Sequence, residues 1–174
     1  MLTVINGDFT YPKSEVLVCP CNLCGILNRS YSATIVKSGG NLYKNIKKEI
    51  KKNNFNIGDC LVTGAYQLKR RSVKHIYSTF LSKYPNDFIK IDNLTLCLNN
   101  IFREALKNDV QSIAFPPLGT ENLEYDFIAI NMLKICKNYQ KVMNIKIISD
   151  DPSFINVIKK YADIKDKNNE KNIR

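Results

Sequence analysis

No stretch of this chain approaches the roughly 20 consecutive apolar residues that a membrane span needs, so no spanning helix is expected. The start, Met1-Leu2-Thr3-Val4, has no basic segment followed by an apolar one, so no secretory leader is expected and the reading is cytoplasmic. Internal repeats are absent, which excludes solenoid and array architectures. Low complexity is confined to a Lys/Asn-rich end, so the assignment is one domain over residues 1–164 followed by a basic, disordered tail over 165–174. Histidine occurs once, at His75, which leaves few partners for metal chemistry.

What is present fits one globular unit. The chain has 174 residues, 44% of them hydrophobic, enough for a sizeable core. Its net charge is +10, carried largely by the segment Lys44–Lys52 and by the end of the chain. A basic surface raises the local concentration of anionic partners such as nucleotides or nucleic acids. The same lysines also read as a solvated helix face. Six cysteines, in a cytoplasmic setting, read as free thiols. Three of them form Cys19-Pro20-Cys21-Asn22-Leu23-Cys24, a spacing that suggests zinc. No second ligand pair accompanies it, and Cys19 and Cys21 sit on one face of a strand end, so no metal is assigned.

Apolar runs of strand length occur at Leu2–Asp8, Val16–Cys21, Cys60–Tyr66, Val73–Leu81, Gln111–Leu118 and Ile145–Ser149. Between them lie helical patterns. Ser32–Asn53 is broken at Gly39-Gly40, and beyond that break Leu42, Ile46 and Ile50 form one stripe. Ile91–Asn108 and Tyr125–Val142 are amphipathic, the second with Phe127, Ile130, Leu133, Ile135 and Cys136 as its apolar set. Asp150-Asp151-Pro152-Ser153 is a helix start, followed by Phe154–Tyr161. Lys69-Arg70-Arg71 reads as a basic turn. Strands alternating with helices imply an α/β fold, with ligands bound on loops beyond the carboxyl ends of the strands.

Two such loops carry candidate chemistry. Asp8 ends the first strand, where its carboxylate can accept a hydrogen bond from an adenine amino group; it also reads as an ordinary turn residue. The fifth strand delivers Pro116-Pro117-Leu118-Gly119-Thr120-Glu121-Asn122-Leu123-Glu124. A carboxylate on such a loop repels an anionic ligand, by roughly 4 kcal/mol per charge pair at about 4 Å and an effective dielectric near 20. Glu121 therefore meets a hydroxyl or amine, acts as a base on water, or faces solvent.

Gly7-Asp8-Phe9-Thr10, Val18-Cys19-Pro20-Cys21-Asn22, Val62-Thr63-Gly64 and Ser112–Thr120 resemble, in order, the signature segments of the macrodomain family. The resemblance covers residues 2 to 161. It implies an α/β/α sandwich of three layers around a mixed, mostly parallel sheet. It implies binding of ADP-ribose or a related adenine nucleotide, with Asp8 and the Phe9 amide reading adenine and Asn22 meeting the distal ribose. Gly119, Thr120, Glu121, Asn122 and Leu123 fall on the loop that wraps the diphosphate. Phe154 falls where some members stack an aromatic ring on adenine; it also reads as a core anchor.

Departures from the family pattern accompany these matches. Cys19 stands for the first asparagine of the family's strand end. The glycines expected after Asn22 are replaced by Leu27-Asn28-Arg29-Ser30-Tyr31, and Ser32 stands where members often carry a catalytic Asp. Arg29 offers a guanidinium to phosphate instead. The alternative is hydrolysis, removing ADP-ribose from protein or nucleic acid. Glu121 or Lys83 would then have to act as the catalytic group. A further alternative is another nucleotide, or protein contacts alone. No cofactor is assigned.

Overall fold

The computed structural model describes residues 1–9, 11, 13–26, 35, 36 and 40–171, with side chains described to residue 162. Arg29, Ser32 and Thr10 lie outside the described residues. Six strands form one sheet: β1 (Leu2–Asn6), β2 (Val16–Asn22), β3 (Cys60–Gly64), β4 (His75–Ser82), β5 (Ser112–Phe115) and β6 (Asn144–Ser149). Their spatial order is β1-β6-β5-β2-β4-β3. All neighbours are parallel except β3, which runs antiparallel to β4. The helices are α1 (Leu42–Lys52), α2 (Ile91–Lys107), α3 (Tyr125–Tyr139) and α4 (Pro152–Lys171), with a 3-10 helix at Tyr66–Arg71. The boundary drawn at residue 164 falls inside α4.

Alternation along each strand divides the core into two layers. Val16 and Val18 of β2, Tyr77 and Leu81 of β4, Ile113 and Phe115 of β5, and Ile145 and Ile147 of β6 pack with α2, α3 and α4. The residues between them, Leu17, Cys19, Ile76, Phe80, Ala114 and Ile148, pack on the other face with Ile35, Leu42 and Ile46. Helices therefore cover both faces, giving the three-layer α/β/α sandwich. All seven residues of β2 are buried, as expected for a central strand covered on both sides.

Several boundaries differ from the sequence reading. β5 stops at Phe115 rather than Leu118, because Pro116 and Pro117 have no N–H to extend a ladder. The expected basic turn is part of the 3-10 helix, which Ser72 closes at φ 67° with its N–H on the Lys69 carbonyl. α3 buries Ile128, Ala129, Met132, Leu133, Ile135 and Cys136, whereas Phe127 and Ile130 are exposed. The stripe set by Ile128, Met132 and Cys136 turns those two residues to the opposite side. α4 begins at Pro152, and Asp151 Oδ1 accepts from the Ser153 N–H at 2.8 Å, the capping expected of that start.

Candidate functional site

The sheet opens where the chain changes direction. β2 lies between β4 and β5. It pairs with β4 along its whole length. With β5 it pairs only at Val16↔Ile113 and Leu17↔Ala114. From Val18 onward β2 has no ladder on its β5 side, and there Pro20 is tolerated within a central strand. The strands part above this point, forming the crevice at the carboxyl ends that binds ligands in open α/β sheets.

Five loops border it. The first is held by the Gly7 N–H on the Ser149 carbonyl at 2.9 Å, one residue beyond β1. Phe9 is buried among Leu17, Cys19 and Ile148, and this anchor leaves Asp8 exposed at the rim. The second loop turns on Asn22, after a register shift between Cys21 and Asn22 that reorients the strand end. Asn22 Oδ1 accepts from the Cys24 and Ile26 N–H groups at 3.1 and 3.2 Å, while Nδ2 donates to the Ile26 carbonyl at 2.5 Å. A primary amide has two acceptor positions and two donor hydrogens. The turn occupies three of these four, so Asn22 has one N–H left for a ligand. Gly25 closes the turn at φ 63°, where a Cβ would lie 3.1 Å from Ile50.

The third loop follows β4. The Leu23 N–H bonds the Ser82 carbonyl at 3.1 Å, tying it to the second loop. Lys83 is exposed, its ammonium 5.2 Å from the Tyr84 ring centre. The fourth loop, after β5, is clasped to the third by a reciprocal pair. Ile89 N–H donates to Asn122 Oδ1 at 3.0 Å, and Asn122 Nδ2 donates to the Ile89 carbonyl at 3.3 Å. Sequence pattern carries no trace of this pair, whose members are 33 residues apart. Gly119, at φ 88°, accepts from the Leu123 N–H at 3.1 Å; a Cβ there would sit 2.9 Å from Leu123 Cδ1. Thr120 and Glu121 are half-buried, and Leu123 packs on the core. Glu124 is exposed and precedes α3, so its carboxylate lies at the helix start.

The fifth loop places Phe154 wholly in the core, edge-on to Tyr125 with ring centres 5.5 Å apart. Its faces are covered, so here it anchors α4; stacking on a base requires it to leave that position. Asp151, assigned only a capping role by its sequence, also accepts from Tyr125 Oη at 2.5 Å. That bond, with backbone donors at Ser153 and Phe154, holds its carboxyl below the ordinary Asp value. Tyr125 and Asp151 thus lock α3 to α4 behind the crevice.

The cysteines do not converge. Cys19 and Cys21 are buried with sulfurs 3.8 Å apart, while Cys24 is exposed in the turn. The Cys19 thiol and burial together push the Cys21 thiol well up, which disfavours a thiolate. Among the described residues no group of three or more His, Cys, Asp or Glu is placed to hold a metal ion. His75 is exposed at the start of β4, at the opposite end of the strand from the crevice. No described helix is long and apolar enough to cross a membrane.

Comparison with known families matches residues 18–130 to the Macro domain. The chain belongs to the macrodomain family. Over 156 residues, 88% of this chain, this macrodomain is 24% identical to the DNA ADP-ribosyl glycohydrolase of Mycobacterium tuberculosis. The match takes up 43% of that protein, so the chain spans less than half the length of this curated relative. The macrodomain of Mycobacterium tuberculosis DarG superposes with a TM-score of 0.77 at 21% identity, covering 87% of this chain and 99% of that one. The Trypanosoma brucei macrodomain in complex with ADP-ribose gives a TM-score of 0.75 at 18% identity, covering 92% and 68%. These likenesses establish the macrodomain fold.

Proposed function

We propose that this macrodomain binds ADP-ribose, or a closely related adenine nucleotide, in the crevice between β2 and β5. The observation that carries the reading is the split of those strands beyond Leu17, with Asp8 exposed at its rim. Asp8 would accept the adenine amino hydrogens, next to the Phe9 amide. The Gly119–Leu123 loop would present backbone N–H groups to phosphate, and Asn22 would give its remaining amide hydrogen to the distal ribose. Homologous macrodomains solved with ADP-ribose support the ligand class. Titration calorimetry tests it: ADP-ribose binds the wild-type chain, and Asp8→Ala weakens it about 10-fold or more, as loss of a hydrogen bond to a charged group implies. Absence of heat at millimolar ADP-ribose rejects the reading.

A second reading, removal of ADP-ribose from nucleic acid, is favoured by the likeness to a DNA ADP-ribosyl glycohydrolase. Water adding at the anomeric carbon needs a positioned base or a stabilised leaving group. Ser32 supplies no carboxylate, which leaves half-buried Glu121 and exposed Lys83 as the groups available. Turnover of ADP-ribosylated DNA that survives both Glu121→Gln and Lys83→Ala removes both from the mechanism.

A further inference from the structure

The amino ends of the parallel strands carry chemistry of their own. β3 runs antiparallel to β4, with Gly64 in register with His75, so the 3-10 helix after β3 sits at the amino ends of the parallel strands. There it meets the start of α1 and forms a groove of about 420 Å3 lined by Asn41, Tyr66, Gln67, Lys69 and Arg70. That volume falls within the roughly 300–1,000 Å3 typical of ligand sites. Among the described residues no carboxylate lines it.

Three features separate this groove from an ordinary solvated surface. First, Tyr66 has φ 46°, a left-handed conformation that is unusual for a bulky side chain and costs on the order of 1–3 kcal/mol. The fold sustains this strain while leaving the ring 36% exposed, so core packing does not explain it. Second, the Lys69 and Arg70 side chains make no hydrogen bond or ion pair with any described residue. Their neighbour Arg71 is engaged elsewhere, 4.0 Å from the Tyr11 ring centre and donating to the Tyr11 hydroxyl at 3.1 Å. Third, Gly40, at φ 64°, backs directly on Gln67. A Cβ there would be 2.7 Å from the Gln67 amide, so the glycine holds that amide in the wall. The lysines of α1, by contrast, line no part of this groove.

Unpaired cations suit phosphates, an exposed ring suits the face of a base, and the amides of Asn41 and Gln67 suit base edges or sugar hydroxyls. Positive grooves with aromatic platforms are the recurring means of holding single-stranded nucleic acid. A duplex hides its base faces from Tyr66. We infer that this groove is a binding site for a single nucleic-acid strand, separate from the crevice at the carboxyl ends of the parallel strands. The inference stands whether or not the crevice binds ADP-ribose.

Fluorescence anisotropy with a labelled 12-nucleotide oligothymidylate, single or paired with its complement, tests it on the full chain between 50 and 200 mM salt. The single strand binds more tightly than the duplex. The Lys69→Ala/Arg70→Ala variant lowers the salt slope by about 1.4, two phosphate contacts at roughly 0.7 each for a single strand. Tyr66→Gly removes the ring and relieves the positive φ, so it melts no lower than wild type while losing roughly 5- to 150-fold in affinity, the range for one stacked base. Saturating ADP-ribose leaves the strand bound. The inference is overturned by no binding at 50 mM salt, by equal binding of strand and duplex, by variants that bind as wild type, or by displacement with ADP-ribose.

Discussion

Replacing Asn122 by Ala tests whether the third and fourth loops form one unit. Two hydrogen bonds join them, one accepted from the Ile89 N–H at 3.0 Å and one donated to the Ile89 carbonyl at 3.3 Å. Ile89 is 2% exposed, so its N–H loses a partner that water cannot readily replace. Stranding a buried donor costs about 1–3 kcal/mol, and the longer bond adds a few tenths. The Asn122 side chain is itself exposed, so solvent competes and the lower half of that range applies, about 1–2 kcal/mol. For a chain of this size each kcal/mol lowers Tm by about 2–4 °C, giving a fall of about 2–8 °C by scanning calorimetry. Asn122→Asp discriminates the two bonds. It keeps the acceptor for the Ile89 N–H but sets a carboxylate oxygen against the Ile89 carbonyl, so its loss beside that of Ala reads how much the donated bond matters. Titration with ADP-ribose then reads the site: the Ala variant binds more weakly because Gly119–Leu123 is no longer clasped. An Ala variant that melts within 1 °C of wild type refutes the argument.

Two further outcomes follow from the same geometry. Gly119→Ala forces a Cβ to 2.9 Å from Leu123 at φ 88° and loses about 1–2 kcal/mol from strain alone; adding Leu123→Ala relieves the clash but not the strain, so thermal melts of the double variant that equal wild type contradict it. Glu15 and Asp151 both have carboxyls held below their ordinary values, Glu15 chiefly by Lys74 and Asp151 chiefly by Tyr125. Their contribution to stability is complete above the ordinary carboxylate range, near about pH 4, and is lost as pH falls through their lower folded values. Urea melts between pH 6 and 2 should show this loss, and Glu15→Gln should flatten its slope; an unchanged slope removes Glu15 from the account.

The strands and helices were legible because burial on two faces writes a strong pattern. The apolar runs of β2 and β6 and the Leu42–Ile46 stripe each stand out without reference to a partner. Errors arose where a single local feature overrides pattern. Pro116 and Pro117 look like the continuation of an apolar strand, yet their missing N–H groups end it. Phe127 and Ile130 are apolar without belonging to the stripe that the sheet selects. The candidate site was legible only as positions on loops; the burial of Phe9 that leaves Asp8 exposed was not read from the pattern. It was not legible where a contact joins distant segments. Asn122 meets Ile89, and Tyr125 meets Asp151, through folding alone. Asn22 reads as a strand-end residue, but the share of its amide that the turn consumes is set by the fold.

Glu15 gives the split sheet a further property. Its carboxylate holds Lys74 at 2.6 Å and the Gln111 N–H at 2.9 Å, and its carbonyl accepts from the Lys74 and His75 N–H groups. β4 and β5 are thereby stapled to β2 just below the last shared ladder rung at Leu17. The strand from Leu17 to Asn22 then extends roughly 16 Å past that rung at about 3.3 Å per residue, against roughly 7 Å from Glu15 to Leu17. Beyond Leu17, β2 is held by β4 alone, so its carboxyl end follows β4 and not β5. Glu15 thus fixes the closed end of the split between β2 and β5 from outside the crevice itself.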